Sequence, residues 1–216
     1  MTRVTEQVIA ALVADARPVR RLWPPARRMA GYLAFAAAVL AVLVLARGLR
    51  PDLAEQLQAP LFALGVAGGL LTGAAGTLAA LMLATPDRSR YWIALPLPAL
   101  ALWLGAVGVG CLTFWVPIRP GVITPAELAN CFATVVLAGT PLSLGMLWLL
   151  RRAVPLRPGM PLAAAALAAS GMSSAALSLL HSIDPSVMIL LWNGFILALF
   201  GLAHALAARM LPPAIA

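Results

Sequence analysis

The chain has 216 residues, 62% of them hydrophobic and only 10% charged, with a mean hydropathy of +0.97. A soluble domain carries about 25% charged residues, so an ordinary globular domain is excluded, and a disordered chain more firmly still. Six spans of ~20 residues take about 120 residues, which leaves no room beside them for a sizeable catalytic domain. The expected fold is an all-α integral membrane protein: a bundle of six transmembrane helices preceded by a short amphipathic helix.

All fifteen basic residues are Arg, against seven acids, for a net charge of +8 and a pI near 11.4. Such a balance can mark a nucleic-acid binder. Here the Arg residues sit at the borders of apolar runs, where positive charge sets topology, and no direct nucleic-acid contact is expected.

In chain order, residues 1–28 form a polar tail. Within it, residues 5–16 read as an amphipathic helix that Thr5 can cap and Pro18 must end. Val8, Ile9, Leu12 and Val13 share one face at helical spacing, with Glu6 and Asp15 off it. The segment is too short to fold alone and too polar to span. Its apolar face must dock, either on the headgroup region with Arg17, Arg20 and Arg21 on anionic membrane lipid, or in the groove of a cytoplasmic protein. The residues leave both open.

Six apolar runs follow, at residues 29–46, 61–84, 91–116, 128–150, 160–180 and 187–210. Each is long enough to cross a core of ~30 Å as a helix. The connections are short and rich in proline. The fifth run is the weakest, carrying Ser170, Ser173, Ser174 and Ser178 but no charge. Residues 29–210 thus make a transmembrane domain, with 211–216 as a short tail. The 28 residues before the first run are too many for a signal-peptide n-region, so that run is read as an uncleaved span.

With the N-terminus in the cytoplasm, that side holds twelve Arg and the other side three, Arg47, Arg50 and Arg119. This positive-inside bias places both termini in the cytoplasm. The segments at 47–60, 117–127 and 181–186 then face outward. Gly65, Gly69 and Gly73 form a GxxxGxxxG stripe in the second run, which lets a helix approach closely. It suits packing within the bundle, or a homo-oligomer seam. Pro96, Pro98 and Pro141 are expected to kink the third and fourth helices.

No Asp, Glu, Lys or Arg lies in the middle of a run, whereas pumps and proton-coupled transporters need ionisable groups at mid-depth. There is no HExxH, Walker loop or nucleophile elbow. A bis-His haem would need both His181 and His204, which fall on opposite sides of the membrane. The chain is therefore not expected to be an enzyme. The competing readings are a structural or accessory subunit of a membrane complex, or a membrane enzyme or transporter of unknown substrate.

The run Leu12-Val13-Ala14-Asp15-Ala16-Arg17-Pro18-Val19-Arg20-Arg21-Leu22, with Pro24-Pro25 and Arg27-Arg28 after it, resembles the N-terminus of the NrsF-type anti-sigma factors. The resemblance continues through Gly48-Leu49-Arg50-Pro51-Asp52-Leu53, Pro86-Asp87-Arg88-Ser89, Trp92, Pro96 and Trp103. It runs on through residues 108–111, Cys131, Pro141, Arg151-Arg152, Pro155, Pro158, Leu180-His181, Asp184 and Trp192, and so covers nearly the whole chain. It implies a six-span protein of the bacterial inner membrane that negatively regulates an extracytoplasmic-function sigma factor. The tail would hold the sigma factor through Val8, Ile9, Leu12 and Val13 as apolar anchors, and Asp15, Arg17, Pro18 and Arg20 as polar register. The membrane part would sense stress.

Topology brings Cys111, Cys131, His181 and Met188 to the outer side. These are soft ligands suited to copper or another soft metal. Two thiols in an oxidising compartment can also form a Cys111–Cys131 disulfide. Equally, buried Cys and Met are common apolar filler. The family carries a stress-responsive cysteine at the position of Cys131 and commonly a second one directly after the histidine, where this chain has Ser182. Cys131 thus lacks its usual partner: either Cys111 substitutes, or a metal is held by fewer thiols, or this member senses differently. The shift on sensing is expected to reach the first span through the glycine face of the second.

Overall fold

The computed structural model describes residues 3–14, 23–115, 125–151 and 159–180. Every element in them is helical. Helix α1 is Arg3–Ala14, α2 is Pro25–Arg47, α3 is the single turn Leu53–Gln56 and α4 is Pro60–Leu83. A 3-10 turn, Arg90–Ala94, leads into α5 (Leu97–Trp115), followed by α6 (Pro125–Leu150) and α7 (Gly159–Leu180). Five segments are long and apolar enough to cross a membrane: Pro25–Arg47, Pro60–Leu83, Arg90–Gly110, Phe132–Leu150 and Gly159–Leu180. They match the first five expected runs. The sixth run, 187–210, the tail 211–216 and the segment 15–22 lie outside the described residues.

Prolines set several helix boundaries. Pro25 and Pro60 open α2 and α4, where the missing N–H has no intrahelical partner to lose. In the third span, an α-helix begun at Arg90 would need N–H groups at positions 96 and 98, both of them proline. The chain instead starts as 3-10, with Ser89 accepting from the Tyr91 amide at 3.3 Å, and restarts as α-helix at Leu97, so that Pro98 falls in its first turn. Pro96 and Pro98 therefore mark a junction and not a kink within a helix. Pro141 lies inside α6, which continues through it. Helix α1 begins before Thr5, so Thr5 is in its first turn and not its cap.

Helices α4 and α7 pack antiparallel at the centre of the described bundle. A Cβ on Gly76 would lie 2.9 Å from the Ala168 amide nitrogen and 3.0 Å from the Ala164 carbonyl, and one on Gly73 would lie 2.8 Å from Met172. Gly171 answers from α7, with its Cα facing the backbone of Gly69 and Gly73. Gly68 turns to α5, where a Cβ would meet the Trp103 backbone at 2.9 Å, and Gly65 faces Ala106. Within a bilayer this contact of backbones supplies the packing that hydrophobic burial cannot. Gly65, Gly69 and Gly73, the residues offered for a homo-oligomer seam, are thus taken up inside the bundle.

The serines that weakened the fifth run have the same explanation. Ser170, Ser173, Ser174 and Ser178 are buried in α7, where small side chains are required. Ser173 donates to the carbonyls of Ala169 (2.8 Å) and Ser170 (3.1 Å), and Thr77 donates to Gly73 at 2.7 Å. The hydroxyls of Ser173 and Thr77 are thus satisfied within their own helices.

Candidate functional site

The tail comes first in sequence. All the described side chains of α1, at 5–11, 13 and 14, are exposed. Val8, Ile9 and Val13 are 53%, 45% and 69% accessible. One short helix therefore offers apolar groups that this bundle does not cover. The Leu12 side chain and the residues Asp15, Arg17, Pro18 and Arg20 lie outside the described set. With Glu6 in the first turn, α1 has a favourable charge at its positive end.

Helix α2 follows the tail and is fastened to α6 at three levels. At the end nearest the tail, Arg28 is buried and donates to the Leu149 carbonyl at 2.6 Å. That carbonyl belongs to the last turn of α6, where no intrahelical donor remains and a cation is favoured. Further along, the fully buried Tyr32 donates to the Leu142 carbonyl at 3.2 Å. At the far end, Arg47 donates to the Asn130 carbonyl (3.3 Å) and to Thr134 Oγ1 (2.8 Å). These two residues flank Cys131 in the first turns of α6. Between its ends a half-open apolar pocket of about 210 Å³ lies against α2, lined by Leu33, Ala36, Leu40, Ala138, Leu142 and Met172 among others.

The loop after α2 is ordered by Arg50. Its side chain is 4% exposed and makes two bonds to Asp52, of 2.8 and 2.7 Å. Its guanidinium lies 5.2 Å from the Phe62 ring centre, and its backbone N–H donates to the Leu179 carbonyl at the end of α7 (3.1 Å). The Arg50 hydrogen bond holds the Asp52 carboxyl down, from an ordinary 3.8 to about 2. A depressed carboxylate stabilises the fold above its unfolded value and loses that contribution as the pH falls towards 2, so the clamp is fully formed at neutral pH. Gly48, at φ 78°, supplies the left-handed turn that lets the chain leave α2 and reach it.

The two described helices that carry the cysteines meet with α7 in one buried cluster: Trp103 and Val107 of α5, Val135 of α6 and Leu177 of α7. Cys111 lies one helical turn beyond Val107, and Cys131 one turn before Val135, on the same side of the bundle. The side chains of Cys111 and Cys131, and the residues His181 and Met188, lie outside the described set. Among the described residues no group of three His, Cys, Asp or Glu side chains is placed to hold a metal ion.

A family model described as NrsF, negative regulator of sigma F, matches residues 12–212. The chain belongs to the NrsF family. Membership makes it a negative regulator of a sigma factor, with a sigma factor as its partner, in a family that is not one of enzymes. No curated protein and no solved structure matches the chain.

In this NrsF protein, sequence reasoning gave no structural role to Arg28, Tyr32, Arg47 and Arg50: the three Arg entered the topology count, and Arg28 and Arg50 the family resemblance. A signal was available for two of them. Arg47 and Arg50 stand on the Arg-poor side, against the positive-inside bias, and a charge that opposes that bias needs another partner. The α4 glycines face α5 and α7, α2 packs on both α4 and α6, and its long-range hydrogen bonds run to α6.

Proposed function

We propose that this NrsF protein is an inner-membrane anti-sigma factor that holds an extracytoplasmic-function sigma factor through its N-terminal segment and releases it on oxidative or heavy-metal stress outside. The exposed apolar residues of α1, a helix separated from the first span by ten residues, carry the reading. A short helix with Val8, Ile9, Leu12 and Val13 on one face fits the helix-in-groove mode of recognition. Both termini are cytoplasmic on the Arg count. A reporter fused after Met210 is accordingly expected to score as cytoplasmic, and a periplasmic score would overturn the topology.

Sensing is assigned to Cys131 with His181, and to Cys111 and Met188 beside them, by a disulfide or a soft metal such as copper. The buried cluster of Val107, Val135 and Leu177 supports it, because Cys111 and Cys131 are each one helical turn from a member of that cluster. The α2–α6 contacts supply a route. Arg47 bonds the turn that holds Cys131, and Arg28 bonds the opposite end of the same helix at the root of the tail. A shift of α6 is felt at both ends of α2. A signal acts only through different affinity for the sigma-bound and sigma-free states. About 3 kcal/mol of coupling changes sigma affinity roughly 150-fold.

The test is transcription from a promoter that depends on the sigma factor. Deleting the chain is expected to raise basal transcription. Cys131→Ser is expected to keep repression but abolish induction by oxidant, copper or cadmium. Unchanged basal transcription in the deletion would contradict the anti-sigma role, and normal induction in a Cys111→Ser/Cys131→Ser double variant would remove only the thiols from the mechanism.

A further inference from the structure

One end of the bundle carries a repeated arrangement that neither sigma binding nor thiol sensing uses. Arg27 lies over Trp23 at 5.1 Å from the ring centre, Arg90 over Tyr91 at 5.7 Å, and Arg151 over Trp148 at 5.0 Å. The three rings are each more than half exposed. They come from three separate places in the chain: the entry to α2, the 3-10 turn that opens the third span, and the exit of α6. The core beneath them joins those places, since Met29, Ile93, Leu149 and Leu150 belong to one cluster.

The charge around them is one-sided. Among the described residues of 23–31, 84–92 and 148–160 there are five Arg and one acid, Asp87, which lies 4.0 Å from Arg88. Among the described residues Arg27, Arg90 and Arg151 have no carboxylate partner. The contrast is Arg50 at the opposite end, which also stacks on a ring but is buried against Asp52. A guanidinium stacked by its face keeps its N–H edge available, and that edge matches a phosphate with two parallel hydrogen bonds. Exposed Trp and Tyr rings where helices leave the bilayer sit at headgroup level. An aromatic platform with an outward guanidinium at that level complements an anionic phosphodiester.

We infer that this rim binds the headgroups of anionic phospholipids, phosphatidylglycerol or cardiolipin, through Arg27, Arg90 and Arg151 stacked on Trp23, Tyr91 and Trp148. The surface needs no assumption about sigma binding. That it faces the cytoplasmic leaflet rests on the topology proposed above. Because Arg27 is adjacent to the buried Arg28, bound lipid holds the root of α2 in register with the end of α6.

The measurement is thermal unfolding of the purified full chain in neutral detergent with added phosphatidylglycerol, cardiolipin or phosphatidylcholine, and separately with inorganic phosphate. Anionic lipid, bound to the folded state alone, is expected to raise the midpoint by several degrees over phosphatidylcholine. The Arg27→Gln/Arg90→Gln/Arg151→Gln variant is expected to keep its midpoint in phosphatidylcholine and lose the anionic increment. The corresponding triple Lys variant, which keeps charge without the fork, is expected to retain part of it. An equal response to anionic and zwitterionic lipid, an increment that survives in the Gln variant, or the full increment from inorganic phosphate would overturn the assignment. Loss of sigma-factor capture in the Gln variant with no change in lipid response would reassign the rim to protein binding and overturn it too.

Discussion

Gly76→Leu is expected to prevent the bundle from assembling. The first side-chain carbon alone would sit 2.9 Å from the Ala168 nitrogen and 3.0 Å from the Ala164 oxygen. Both are backbone atoms of the central helix α7, and they cannot swing aside as a side chain can. Overpacking a core costs about 1–3 kcal/mol where side chains can yield; here helices must separate along their length, and a cost above about 3 kcal/mol is expected. Purified in detergent, the variant should give aggregated protein with no cooperative unfolding. Gly31→Ala is the companion measurement. Among the described residues nothing lies within 4 Å of a Cβ at Gly31, and alanine has the better helix propensity by about 1 kcal/mol, so its midpoint should match or slightly exceed the parent's. Equal stability of the two variants would refute the α4–α7 contact as the centre of the fold.

The glycine spacing in α4 announced close approach by another helix, but not which helix. Stripe arithmetic identifies a face, and Gly65 through Gly76 divide between two neighbours, α5 and α7. Long apolar runs are legible because crossing a bilayer demands length and hydropathy together. The interior of α7 read weakly for the opposite reason: a helix enclosed by others trades bulk for small and hydroxylated side chains, and its apolar signal falls. The expected meeting of cysteines and a histidine rests on topology alone, because the cysteine side chains and His181 lie outside the described residues. The α2–α6 contacts were not, because Arg28, Tyr32 and Arg47 bond to backbone carbonyls and a hydroxyl more than eighty residues away, and no residue type marks a carbonyl in advance.

The tail carries the second large effect. Each apolar side chain fully buried in a partner's groove contributes about 1.5–3 kcal/mol. Ile9→Asp combined with Leu12→Asp should therefore remove about 3–6 kcal/mol of sigma-factor binding, which weakens affinity by roughly 10²–10⁴-fold. Neither residue touches a span in the sequence, so insertion and the unfolding midpoint should stay as in the parent. The check is titration of the purified chain with its sigma factor, beside a membrane-fraction assay. Affinity unchanged by both substitutions would mean that the apolar face rests on lipid instead.

The central claim is that an unstressed cell keeps the sigma factor at the membrane because this chain holds it there by α1. It is tested most directly by following where the sigma factor sediments. Cells carrying the natural chain should hold it in the membrane fraction and move it to the soluble fraction within minutes of oxidant, copper or cadmium. Cells carrying Ile9→Asp/Leu12→Asp should show it soluble from the start, with the chain itself still in the membrane. A sigma factor that is soluble in unstressed cells of the natural strain, or membrane-bound in the double variant, would contradict the account.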